Sequence, residues 1–111
     1  MVRVTVSKQY TVSANTTETE IVYTVTPGKK LRLDLVKIWF PTGVNSELRV
    51  KILHGSMQVA PTEGYAVGDN IELEYKPEVE YGSEEYVKAW LQNVNSTESR
   101  DVQITLEGEE L

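Results

Sequence analysis

Hydrophobic and polar residues alternate with a period of two along nearly the whole chain. Val2, Val4 and Val6 alternate with Arg3, Thr5 and Ser7, and Leu48, Val50, Ile52 and His54 with Arg49, Lys51 and Leu53. The clearest run sets Ile71, Leu73 and Tyr75 against Glu72, Glu74 and Lys76. Successive side chains of an extended strand point to opposite faces, so these runs mark half-buried β-strands. No window of about eleven residues carries the i, i+3, i+4, i+7 apolar stripe of an amphipathic helix, and helix is expected to amount to a single turn at most.

The alternation and the turn residues predict strands over 2–12, 19–26, 31–40, 47–54, 57–60, 71–76, 85–92 and 101–107. In 19–26, Ile21, Tyr23 and Val25 are expected to share the inner face. In 31–40 the parity switches, because Leu31, Leu33 and Leu35 precede Val36, Ile38 and Phe40. A switch inside one strand predicts a β-bulge, or a strand that bends between two sheets, near Leu35-Val36. Pro27-Gly28-Lys29-Lys30 reads as a turn, and Pro61 suits the end of an edge strand that need not donate further. Asn93 to Arg100 reads as a polar connection and Gly108-Glu109-Glu110-Leu111 as an acidic tail. Seven to eight short strands with turn signals at this spacing predict an all-β fold, an antiparallel β-sandwich over residues 1–111 as a single domain. A jelly-roll-like arrangement is the first expectation, an immunoglobulin-like one the alternative.

Composition supports the same class. Val, Ile, Thr, Tyr, Phe and Trp number 40, against 15 for Leu, Ala and Met, and β-branched and aromatic side chains fit a pleated surface better than a helix. The 111 residues are enough for one core, and without cysteine that core has no disulfide or cysteine-ligated metal. Net charge is −6 and the sequence pI is near 4.8. Dispersed basic residues in an acidic chain argue against a nucleic-acid partner, since phosphate affinity comes from clustered Lys and Arg. Neither a signal-peptide core nor an apolar run long enough to span a membrane is present, so a soluble, unexported chain with no membrane partner is expected.

Candidate chemistry is sparse. The sequence has no Gly-x-Ser-x-Gly elbow, phosphate-cradling glycine loop or His-x-x-x-His pair, and no enzymatic activity or cofactor is expected. His54, on the apolar parity of its strand, is expected to be a packed or hydrogen-bonded structural residue, the alternative being a pH-sensitive interface or a ligand contact. The pairs Glu72 and Glu74, Glu78 and Glu80, and Glu84 and Glu85 read as solvated faces and turns before they read as glycosidase carboxylates. Asp69, Glu78 and Glu80 are candidate calcium ligands, although their spacing matches no calcium loop. Asn15-Thr16-Thr17 and Asn95-Ser96-Thr97 match the glycosylation acceptor pattern, which Thr-rich loops produce by chance.

The most informative feature is a set of aromatics on the polar parity. Tyr86 and Trp90 flank Lys88 and alternate with Val87, Ala89 and Leu91, while Trp39 lies opposite Ile38 and Phe40 in parity, beside Lys37. Trp39, Tyr86, Lys88 and Trp90 are therefore expected on a displayed sheet face, as an interface between subunits or a platform for sugar rings, unless loops or a bulge bury them.

Gly68-Asp69-Asn70-Ile71, Tyr81-Gly82, Leu91-Gln92-Asn93-Val94-Asn95-Ser96 and Val102-Gln103-Ile104-Thr105-Leu106-Glu107-Gly108 together resemble the closing hairpins of small jelly-roll-like β-sandwich modules of phage and archaeal-virus structural proteins. The resemblance spans about residues 20–108 and is one of hairpin style, shared in part with carbohydrate-binding modules and adhesin domains; it carries over no functional residue. It implies a non-enzymatic virion decoration, tail or fibre-type component, a homo-oligomer docking on another structural protein. A carbohydrate-binding module with a sugar ligand is the alternative, and the location is the virion or, for a chain of other origin, the cytoplasm.

Overall fold

The computed structural model describes residues 2–111, and Met1, which heads the N-terminal alternating run, lies outside them. Among the described residues the strands are β1 (Val2–Val12), β2 (Thr16–Thr24), β3 (Leu31–Phe40), β4 (Leu48–His54), β5 (Met57–Ala60), β6 (Ile71–Tyr75), β7 (Val79–Tyr81), β8 (Tyr86–Asn93) and β9 (Arg100–Glu110). They form two antiparallel sheets. The first has the order β1-β9-β3-β6 with β7 also on β3, and the second has the order β2-β8-β4-β5.

With β6 and β7 taken as one interrupted strand, the pairs β1 with β9, β2 with β8, β3 with β6 and β7, and β4 with β5 are the rungs of one long hairpin. Rolled up, that hairpin is a jelly roll, and the order excludes the immunoglobulin-like alternative. The inward residues of both sheets meet in between, with Leu33, Ile38, Phe40, Ile104 and Leu106 of the first sheet packed with Leu48, Ile52, Val87 and Leu91 of the second.

The parity switch in β3 is a register shift between Leu33 and Leu35 against β9. The extra residue, Asp34, bonds Arg3 Nη1 at 2.6 Å, so the bulge also ties β3 to the edge strand β1. Gly108 lies opposite Leu33, where a Cβ would be driven into the Arg32 carbonyl oxygen. Absence of a side chain is what lets β3 bulge against β9 here.

Three expectations are corrected. The second strand starts at Thr16, and its inward row is Thr16, Glu18 and Glu20 until a register shift between Ile21 and Tyr23. Ile21 consequently falls opposite Lys88 on the outer row and is 45% exposed, although Tyr23 and Val25 do turn inward. Residues 79–81, outside every strand expected from the sequence, form a further strand, β7, which continues the path of β6 along β3 and buries Tyr81 completely. The acidic tail is also strand: Gly108, Glu109 and Glu110 sit between β1 and β3, and Glu110 is buried. Its carboxylate accepts the Thr26 amide at 2.9 Å and the Thr26 hydroxyl at 3.0 Å. These bonds compensate for its desolvation, and hold its pKa below the usual 4.5, the amide bond first.

Candidate interaction surfaces

The outer faces of the two sheets differ in chemistry. In the second sheet β8 is flanked by β2 and β4, and the register lines up Thr17, Gln92 and Arg49 in one outward row, Thr19, Trp90 and Lys51 in the next, and Ile21, Lys88 and Leu53 in a third. Thr24 and Tyr86 continue the series. On β4 and β8 each of these residues alternates with a core residue of its own strand, which is why the face is outward.

Cations lie over the aromatic rings of this face. Lys51 Nζ sits 4.7 Å from the Trp90 ring centroid, the Arg49 guanidinium 4.6 Å from that of Tyr65, and Lys88 Nζ 5.6 Å from that of Tyr86. The ring quadrupole attracts each cation and holds its flexible stem against the sheet. Among the described residues no carboxylate occupies an outward position on these four strands; Glu63, Glu84 and Glu85 lie in loops at the rim.

The outer face of the first sheet has the opposite sign. Glu72 and Glu74 of β6 stand opposite Trp39 and Lys37 of β3. At the other end Arg3 and Arg32 are shared among Asp34, Glu107 and Glu109, with Arg32 Nη2 3.0 Å from Glu109. Asp34 raises the pKa of Arg3 above its usual value, chiefly through the hydrogen bond.

Of the residues singled out in the sequence, Tyr86, Lys88 and Trp90 thus share one face, whereas Trp39 lies on the opposite side of the sandwich. A single face holding all four is corrected by the alternation of strands between sheets. Arg49, Lys51 and Tyr65 were missed, because parity puts Arg49 and Lys51 outward but only the β4 to β8 register sets them beside Gln92 and Trp90.

His54 closes one end of the second sheet's face. Its ring stacks on that of Tyr81 at 4.1 Å, and Nε2 lies 3.1 Å from Glu85. The Tyr81 hydroxyl donates to the Leu53 carbonyl at 3.0 Å, and burial raises its pKa well above 10. Glu85 also accepts the Gly82 amide, and that bond first, then the one to His54, lowers its pKa. A shallow depression of about 290 Å³, lined by His54, Glu85, Tyr86 and Lys88, lies here.

The calcium candidates are not brought together. Asp69 accepts the Gly43 and Asn45 amides at 3.2 and 2.8 Å as a loop staple, Glu80 pairs with Lys30 at 3.7 Å, and Glu78 lies beside Arg32 and Asp34. Among the described residues no group of three or more His, Asp or Glu could hold a metal ion. Asn95 is likewise occupied within the fold. Its amide nitrogen donates to both Glu47 oxygens at 3.1 Å, and its Oδ1 accepts the Thr97 and Glu98 amides. Arg100 bonds the same Glu47 at 3.0 Å. With Asn93, which donates to Val12 and Glu98 carbonyls, these bonds pin the β8 to β9 connection.

The fold defined by these sheets is similar to that of solved structures from two viruses and from a bacterial appendage. A structure of the Sulfolobus Turreted Icosahedral Virus superposes over 98% of this chain with a TM-score of 0.61 and 16% identity. The capsid asymmetric unit of cyanophage Pam1 matches 96% with a TM-score of 0.51 and 11% identity, covering 82% of that chain. The disulfide-linked pili of Bacillus endospore appendages match 96% at 0.50 and 11%, covering 86% of that chain. The chain spans only 29% of the length of the archaeal-virus protein. No family model matches the chain, and no curated protein matches its sequence. The resemblance read from the closing hairpins is thus met by the fold of an archaeal-virus protein and a phage capsid protein.

Proposed function

We propose that residues 1–111 form one sandwich domain of a virion-type assembly, a non-enzymatic structural protein that self-associates and docks on another structural protein. The observation that carries this reading is the outer face of the second sheet. Tyr86, Lys88 and Trp90, joined by Arg49, Lys51 and Tyr65, form a cation-aromatic surface on which Tyr86 and Tyr65 are exposed and the other four half-buried. Trp, Tyr and Arg are the residue types enriched at energetic centres of protein interfaces. Likeness in fold to capsid and pilus structures supports a structural role, and with it a place in the virion.

The sugar-stacking alternative asks for open aromatic faces. Here ammonium and guanidinium groups lie 4.6 to 5.6 Å over the rings of Trp90, Tyr65 and Tyr86, where a sugar ring would stack, and this favours a protein partner. Light scattering after size exclusion tests the reading. The wild-type mass is expected above 12.5 kDa at high protein concentration, and Trp90→Ala is expected to lower it with the far-UV circular dichroism unchanged. A Trp90→Ala protein that keeps the native mass would remove this face from the interface.

A further inference from the structure

We infer that the two broad faces of the sandwich are the two halves of one head-to-tail contact, the cationic outer face of the second sheet seating on the acidic outer face of the first sheet of the next copy. The inference rests on the self-association proposed above and adds which surfaces meet.

The charge distribution carries it. The outward positions of β2, β8, β4 and β5 hold Arg49, Lys51 and Lys88 and, among the described residues, no carboxylate, in a chain whose net charge is −6. The outward positions of the first sheet hold the reverse. Asp34, Glu107 and Glu109 already exceed Arg3 and Arg32 in number, Glu80 is paired with Lys30, and Glu72, Glu74 and Asp101 stand against the single Lys37. Each face has a tryptophan among its charges, Trp90 in register with Lys51 and Trp39 in register with Glu72.

Complementarity decides between the possible pairings. Second sheet on second sheet would set Arg49, Lys51 and Lys88 against their own copies, and first sheet on first sheet would oppose Glu72 and Glu74 in the same way. Like charges across an interface work against association, so neither two-fold dimer is favoured, whereas the mixed contact puts Lys51 and Lys88 among Glu72 and Glu74. A standard interface takes about 800 Å² per partner, a seventh or so of this molecule's 5842 Å², which one broad face of a two-layer slab supplies. The two halves lie on opposite sides of each copy, so the contact repeats into a ring or a filament and cannot end at a pair.

The test uses two charge-reversed variants. Lys51→Glu with Lys88→Glu reverses the second sheet's face, and Glu72→Lys with Glu74→Lys reverses the β6 side of the first. The wild type at low salt is expected to exceed twice 12.5 kDa and to dissociate as salt rises. Each variant alone is expected at the monomer mass, and their equimolar mixture to regain at least the mass of two, since each supplies the half that the other has lost. Far-UV circular dichroism and cooperative unfolding check the fold, and the single substitutions Lys51→Glu and Glu72→Lys repeat the comparison for any double variant that does not fold. If the wild type associates but the Glu72→Lys/Glu74→Lys variant still associates alone, self-association stands and the head-to-tail contact is wrong. A wild type that stays monomeric at every concentration overturns both.

Discussion

At the residue scale, Gly108 is a position of the first sheet with no room for a side chain. It is buried in β9 opposite the β3 bulge, and a methyl group there meets the Arg32 carbonyl oxygen and Leu31 Cδ1. Backbone is the hard neighbour, since it can move only by opening the β3 to β9 ladder. Forcing volume into a packed site costs about 1–3 kcal/mol, and Gly108→Ala is expected to lose stability in that range in chemical denaturation with an unchanged denaturant slope. Wild-type stability in this variant would mean that the bulge relaxes without cost. Gly108 reads in the sequence as the start of a tail, because nothing local distinguishes a turn glycine from one pressed between strands.

At the element scale, the sheets present four edges, and each is protected by a different device. The chain passes from β5 into Pro61, β6 and β7 are separated by Pro77 and by Glu78 at a φ of +50°, and β2 carries a register shift. β1 is the longest, with 11 residues and Val2 59% exposed. Its device is Lys8, which occupies the inward parity between Val6 and Tyr10, opposite Ile104, yet reaches solvent. A charge on the inner row of an edge strand disfavours addition of another strand. Lys8→Val is therefore expected to fold and then to aggregate through β1, seen as salt-resistant light scattering with a rise in cross-β dye fluorescence; a variant as soluble as the wild type would assign the protection elsewhere. The valine alternation made β1 legible in the sequence. That β1 is an edge was not, because its partner β9 lies at the other end of the chain.

At the scale of the whole molecule, three carboxylates tie distant segments together and make stability depend on acidity. Glu110 is held by Thr26, Glu47 by Asn95 and then Arg100, and Glu85 by Gly82 and then His54, and all three have lowered pKa values. A carboxylate with a lower pKa folded than unfolded contributes stability fully above its unfolded value and loses it as pH falls through the folded one. Thermal stability is therefore expected to hold from neutral pH to about 5 and to fall steadily below that. Glu110→Gln, which cannot titrate, is expected to unfold at a lower temperature at neutral pH and to show a shallower acid decline. An acid profile identical to that of the wild type would show that Glu110 does not contribute.

Alternation with a period of two determined, from the sequence alone, that the chain is all-β, where most strands run and that β3 changes parity, because inside and outside are properties of a strand's own side chains. It also put Trp39, Tyr86, Lys88 and Trp90 on the polar parity. Only the tertiary structure decided which of them share a surface, since parity does not say which sheet a strand joins. Ile21 turned outward and Glu110 inward for the same reason. Their strands are set by pairing with β8 and with β1 and β3, and the free energy of burying Val22, Leu106 and the rest of the core fixes those registers against local preference. The separation of a cationic face from an acidic one is likewise a product of strand order, which distributes eleven basic and seventeen acidic residues between two sheets whose neighbours lie far apart in the chain.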